Sequence, residues 1–177
     1  MKKVYYILLM VLLFSCSDKK TENKANVIDK QEYKNSLEEL NRYMLQQESM
    51  MIDDYIKNQN LDFTKTGTGL RYAIMENNNN NILIEQGDLV TIKYEVSSLD
   101  GKIFYTSDND GYKTFLVGRG GVESGLEEAI LKLHEGDEAV LIIPYYLAHG
   151  LVGDGNKIPA KTTLIYKLKV IENKVNN

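Results

Sequence analysis

The chain has 177 residues, of which 21 are basic and 25 acidic, giving a formal net charge of −4, and 43% are hydrophobic. That composition suits one ordinary globular domain with an extension, and it excludes a strongly basic surface able to neutralise many phosphates, so nucleic acid is not an expected partner. Cys16 is the single cysteine, so no internal disulfide is available and a packed core has to hold the fold.

Lys2 and Lys3 are followed by an unbroken apolar run from Val4 to Phe14, which ends at Leu13-Phe14-Ser15-Cys16. This is the charged, apolar and small-residue order of a secretory signal, and the run is shorter than the roughly 20 residues that a spanning helix needs. Residues 1–15 are therefore expected to be removed, and loss of the two lysines lowers the basic count from 21 to 19 against 25 acidic residues. A cysteine directly after the cleavage point resembles the bacterial lipobox, whose thiol takes a diacylglycerol and whose new amine is then acylated. Phe14 departs from the small residue usual at that position. An ordinary signal with an incidental cysteine is the alternative. On the lipobox reading, lipid on Cys16 anchors the protein to a membrane of the cell envelope. Ser17, standing where an aspartate would retain it, directs it to the periplasmic face of the outer membrane.

Residues 16–29 are polar and without periodicity, as expected of a flexible tether. Residues 30–66 form an N-terminal helical extension. Within it Tyr33, Leu37, Leu40, Met44, Met51 and Tyr55 recur at helical spacing, interrupted only by the polar Gln47-Glu48, and predict an amphipathic helix over Gln31 to Asn58. Two roles for its apolar face stay open. It packs on the chain's own domain, or it forms the seam of a homodimer through residues 31–58.

A globular domain is expected over residues 67–177. Gly67-Thr68-Gly69 ends the helical pattern, and Leu70 to Met75 offers a short strand. The asparagine run Asn77 to Asn81 reads as a solvated loop. Val90, Ile92, Tyr94 and Val96 alternate with polar residues, as do Leu164, Tyr166, Leu168 and Val170 with their neighbours, and both segments predict half-buried strands. Thr114 to Val117 and Ala139 to Ile143 are two further strand candidates. One short helix lies among them. Ser124 is placed to cap it, Glu127 to complete a capping box, Leu126, Ile130 and Leu133 to form its apolar face, and Gly136 to stop it. Strands gathered around one short helix, with a longer amphipathic helix preceding them, give an α+β class in which an antiparallel sheet wraps a helix.

Chemistry that needs a strong nucleophile or a metal has little support. His134 and His149 are the only histidines and lack the spaced partners of a zinc site, so neither a metal nor a cofactor is expected. Gly118-Arg119-Gly120-Gly121 lacks the third glycine and the βαβ setting of a dinucleotide loop, and the serines have no G-x-S-x-G context. The aromatic and aliphatic series Tyr94, Phe104, Phe115, Val122, Leu126, Ile158 and Tyr166 remains, either as core or as the wall of a pocket.

From Val90 to Lys174 an ordered set of short motifs runs almost without gaps: Lys93-Tyr94, Asp100-Gly101-Lys102-Ile103-Phe104 with Thr106-Ser107, Phe115-Leu116-Val117-Gly118, Gly125-Leu126-Glu127-Glu128-Ala129, Ile142-Ile143-Pro144, Leu147-Ala148-His149-Gly150, Ile158-Pro159 and Thr163-Leu164-Ile165-Tyr166. In that order and spacing the segment resembles the FKBP-type peptidyl-prolyl isomerases. The preceding Thr66 to Tyr72 and the helix before it look like the extension of exported bacterial members. The whole chain is similar to the gliding-motility-associated FKBP-like lipoproteins of the Bacteroidetes.

The resemblance implies that Tyr94, Phe104, Val122, Leu126, Ile158 and Tyr166 line a pocket for proline and that the Glu123 N–H meets a substrate carbonyl. Proline-containing segments of exported proteins are then the expected partners. The rim departs from the family pattern. Tyr105 stands in place of an aspartate, His149 of a tyrosine, Lys113 of an aromatic, Glu123 of an aliphatic residue, and Leu126 of a tryptophan or phenylalanine. Asp108 is one candidate to supply the missing charge. Two functions follow, a peptidyl-prolyl isomerase of exported proteins and an FKBP-like chaperone or assembly subunit that binds without catalysing.

Overall fold

A computed structural model describes residues 30–76 and 82–175. The signal over residues 1–15, Cys16, the tether over 16–29 and the loop Asn77 to Asn81 lie outside the described residues. Two compact units divide between Leu40 and Asn41. In the first, residues 30–40 are the opening turns of helix α1 (Lys30–Lys57), where Tyr33, Leu37 and Leu40 are about half exposed.

The second unit holds the rest of α1 and a sheet of 7 strands. These are β1 (Thr64–Lys65), β2 (Arg71–Glu76), β3 (Leu89–Ser98), β4 (Ile103–Thr106), β5 (Lys113–Leu116), β6 (Glu138–Ile143) and β7 (Leu164–Lys174). Two short helices, α2 (Ser107–Asp110) and α3 (Ser124–Ile130), and a 3-10 turn at Tyr145–Leu147 complete the unit. All pairings are antiparallel, in the order β1-β2-β6-β7-β3-β4, with β5 alongside the first half of β3. The α+β class is as expected, and the sheet begins before residue 67, because Thr64 and Lys65 pair with Tyr72 and Arg71.

Alternation along the strands sets the two faces of the sheet. Val90, Ile92, Tyr94 and Val96 of β3 and Leu164, Tyr166, Leu168 and Val170 of β7 point into the main core, where Leu126, Ala129 and Ile130 of α3 meet them. The opposite face carries a second, smaller cluster of Val140, Ile142 and Ile165, covered by Ile52 of α1 with Tyr55 and Ile56 beside it. Strand β6 lies between the two clusters. Its Ala139 to Ile143 run is buried at every position because both of its faces are covered.

Helix α1 runs within a residue of its expected ends, but its apolar stripe is used differently. Met51 is exposed, whereas Ile52 and the polar Glu48 are buried. The turn that read as a polar interruption is thus an anchor. Glu48 Oε1 accepts hydrogen bonds from the Tyr145 N–H at 2.7 Å and from the Thr163 hydroxyl at 2.6 Å. Beside it, Ser49 Oγ and, one turn further, Asp53 Oδ1 accept from Nη2 of the buried Arg71 at 2.7 and 2.8 Å.

The expected capping box at α3 does not form. Ser124 donates to the Leu147 carbonyl at 3.1 Å, and the N-cap residue is Glu123, whose side chain makes no capping bond. Glu127 turns away from the helix end to accept the N–H groups of Gly118 and Gly120 at 2.6 and 3.1 Å, because two unpaired donors in the adjoining turn outweigh one at the cap. The helix ends at Ile130, well before Gly136. Gly125 seats it tightly, since a Cβ there would collide with Ile143 Cγ2 and come within 3.3 Å of Leu147.

Burial raises the Glu48 carboxyl above its ordinary range, against the lowering effect of its bonds to Thr163 and Tyr145 and of the Arg71 charge. An acid raised in the folded state contributes stability that is whole below its unfolded value, about 4.3, and is lost as pH climbs through the folded value. Urea unfolding should therefore show the stability of wild type relative to Glu48→Gln falling as pH rises from about 4. Glu48→Ala, which strands the Tyr145 N–H, should cost about 1–3 kcal/mol.

Candidate active site

Five side chains from separate parts of the fold are buried together in the main core: Tyr94 from β3, Phe104 from β4, Leu126 from α3, Ile158 from the loop before β7, and Tyr166 from β7. Val122 packs against the same core from the loop before α3. The Tyr94 and Tyr166 rings lie 6.3 Å apart at a 35° tilt, a usual spacing for a packed aromatic pair. Register explains the grouping. Val96 of β3 pairs with Tyr166 of β7, and Tyr94 lies two residues back on the same face. The Tyr94 backbone is pinned by its N–H donating to Ser107 Oγ at 2.7 Å, at the start of α2.

Above this apolar wall lies a polar layer. The Glu123 side chain is only 6% exposed, and its Oε1 accepts from the Tyr166 hydroxyl at 2.7 Å and from His149 Nε2 at 3.0 Å. Its other oxygen, Oε2, lies 3.9 Å from the Lys113 ammonium and is buried without a hydrogen bond. Lys113 also reaches the Tyr166 hydroxyl at 3.5 Å and stands 5.3 Å from the Tyr94 ring centroid, within cation–π range. Burial, followed by the charge and hydrogen bond of Glu123, pushes the Tyr166 phenol well above its ordinary value. Tyr166 therefore acts as a neutral donor throughout the physiological range.

A cavity of about 470 Å³ adjoins this layer, lined by Lys113, Gly120, Gly121, Val122, Glu123, Ser124, Ala148 and His149. Tyr94, Phe104, Leu126, Ile158 and Tyr166 do not line it and are each at most 8% exposed. The Glu123 N–H makes no hydrogen bond among the described residues. It is therefore a donor at the pocket edge.

Tyr105 lies on the other side of the rim. Its hydroxyl donates to Asp154 Oδ2 at 2.5 Å and accepts from Asn156 Nδ2 at 3.3 Å, while the Lys157 ammonium stands 4.4 Å from its ring centroid. The charge on this side comes from Asp154 and not from Asp108, which is exposed and pairs with Lys93 at 3.5 Å. Asp154 was not singled out from the sequence, although Asp154-Gly155-Asn156 carries an Asx-turn signature that marks it. Its Oδ1 accepts the N–H groups of Asn156 and Ile158, each at 2.8 Å, and so holds the loop that presents Ile158. Among the described residues no group of three or more His, Cys, Asp or Glu is placed to hold a metal ion.

The model of the family described as FKBP-type peptidyl-prolyl cis-trans isomerase matches residues 81–171. The chain belongs to that family. It is 34% identical over 92 residues to the human peptidyl-prolyl cis-trans isomerase FKBP10, covering 51% of this chain and 16% of that protein. To the probable FKBP-type isomerase FkpA of Neisseria meningitidis it is 34% identical over 108 residues, covering 60% of this chain and 39% of FkpA. The crystal structure of AtFKBP13 superposes with a TM-score of 0.60 at 28% identity, covering 64% of this chain and 99% of that one. The chain thus spans about two fifths or less of the length of the two curated relatives.

Burial raises the Asp154 carboxyl, but the bonds from Tyr105, Asn156 and Ile158 and the nearby His149 outweigh it and bring the value down to about 2. An acid depressed in the folded state contributes stability present above its unfolded value, about 3.9, and lost as pH falls through the folded value. The melting-temperature gap between wild type and Asp154→Asn should therefore be full at pH 5 and shrink between about pH 4 and 2.

Proposed function

We propose that the chain is a peptidyl-prolyl cis-trans isomerase working without a cofactor on exported proteins of the cell envelope. The observation that carries this reading is the burial of Tyr94, Phe104, Leu126, Ile158 and Tyr166 in one apolar core beside a cavity lined by Glu123, whose N–H makes no hydrogen bond among the described residues. Turning an X-Pro bond means crossing a barrier of roughly 18–20 kcal/mol that comes from amide resonance, and no proton has to move. A dry wall that grips the proline ring removes the water that favours the polar planar amide. A donor at the edge holds the neighbouring carbonyl while the bond twists.

A second reading is favoured by the polar layer of Glu123, His149 and Lys113 over the wall. On it the domain is a chaperone or assembly subunit that holds partner segments with little or no isomerase activity. Membership of a gliding-motility apparatus is a narrower form of this role, and the whole-chain likeness is its support.

Exchange measured on an X-Pro peptide by NMR decides between them. On the isomerase reading, the purified domain accelerates exchange, and Phe104→Ala and Tyr166→Ala each lower kcat/KM by about tenfold or more, about 1.4 kcal/mol of transition-state binding. Phe104→Leu, which keeps apolar volume, separates loss of catalysis from loss of fold. Wild-type exchange no faster than that of the variants, together with protection of a refolding proline-free client, gives the function to the chaperone.

The place of action rests on Cys16 and the apolar run before it. Cys16→Ser should shift the protein from the membrane to the soluble fraction of the envelope and abolish incorporation of labelled palmitate. Unchanged membrane retention without label would remove the lipid anchor from the proposal.

A further inference from the structure

The residues that should grip proline are each at most 8% exposed, and one of them, Tyr166, is tied through its hydroxyl to Glu123. Glu123 is buried, and its Oε1 holds both the Tyr166 hydroxyl and His149 Nε2. Its Oε2 has no hydrogen bond and faces the Lys113 ammonium at 3.9 Å. A buried carboxylate with one oxygen unsatisfied is costly to keep, and here it is bonded to Tyr166, a residue that a bound proline would have to touch.

We infer that Glu123 is a built-in competitor for the prolyl pocket and determines what enters it. The carboxylate takes the donors at the pocket mouth that a peptide acceptor would otherwise use, so the peptide must displace it. The cavity of about 470 Å³ that Glu123 itself lines gives the side chain room to swing into. Once it has moved, the buried Tyr166 hydroxyl is left without its acceptor, which favours peptides that bring a carbonyl to that position. Only the side chain is involved in the block. The backbone N–H at residue 123 stays in place whatever side chain it carries.

This inference rests on the isomerase reading, and one experiment separates the two. Exchange of a blocked Ala-Leu-Pro-Phe tetrapeptide and its binding by titration are measured for wild type, Glu123→Ile, Glu123→Gln, Phe104→Ala and the double variant Glu123→Ile/Phe104→Ala, each checked for native circular dichroism. Glu123→Ile should raise kcat/KM and lower Kd by about ten- to a hundredfold, the range that hydrogen bonds to a charged group are worth. Glu123→Gln, which keeps the shape and loses the charge, should gain less, and it also serves if the isoleucine variant does not fold. The gain should vanish in the double variant, showing that it passes through the wall.

A Glu123→Ile protein, or a Glu123→Gln protein if that alone folds, that binds and turns over the peptide no better than wild type overturns the competitor. Isomerase activity of wild type that is lost on Phe104→Ala alone would still stand in that case. If no form of the protein binds or exchanges the peptide, both readings fall.

Discussion

The antiparallel pairing of β3 with β7 is the constraint on which the site depends. It runs the full length of β3, from Leu89 opposite Lys174 to Ser98 opposite Leu164, with one irregularity between Thr91 and Ile92. A slip of one residue would turn Tyr166 out of the main core and bring Ile165 in, exchanging the two faces of the sheet. Both faces are committed, one to α3 and the other to the second half of α1, so the register is fixed from two sides. The aromatic wall is one outcome of that register. The place of Glu123 opposite the Tyr166 hydroxyl is another.

What could be read from the sequence was what depends on period and order. Alternation locates β3 and β7, and the ordered series of short motifs points to Tyr94, Phe104, Leu126, Ile158 and Tyr166, all of which the fold buries in the main core. What could not be read depends on partners far apart in the chain. Glu48 looks like a solvated break in an apolar stripe until Tyr145 and Thr163 come round to meet it. Glu127 has the spacing of a capping residue, and only the turn at Gly118 and Gly120 shows what it holds. Asp108 is near Tyr105 in sequence, yet the carboxylate that reaches Tyr105 is Asp154. Polar residues carried the errors because one hydrogen bond is settled by a few tenths of an ångström, whereas an apolar face needs only the right period.

Glu48 also joins regions that the sequence keeps apart. Its carboxylate holds the N–H of Tyr145, five residues before Gly150 in the loop that carries Ala148 and His149, and it holds Thr163, at the entry to the strand that carries Tyr166. The same loop is tied to α3 through Ser124 and the Leu147 carbonyl. His149 on the rim and Tyr166 on the wall therefore share supports from two helices. Glu48 thereby links the second half of α1 to the backbone of both segments.

The tight seat of α3 has a further consequence. Because a Cβ at Gly125 would collide with the Ile143 side chain on β6, the seat of the helix beneath Leu126 is set by glycine backbone against a branched side chain. Such a surface has no intermediate settings, and a larger residue at 125 would displace the whole helix. The side chains of Lys113, Tyr105, Glu123 and His149, by contrast, meet one another and their neighbours through polar side-chain atoms. The helix seat is therefore rigid where the polar layer beside it is built from side chains alone, so the two parts of the site differ in how far a single substitution can reach.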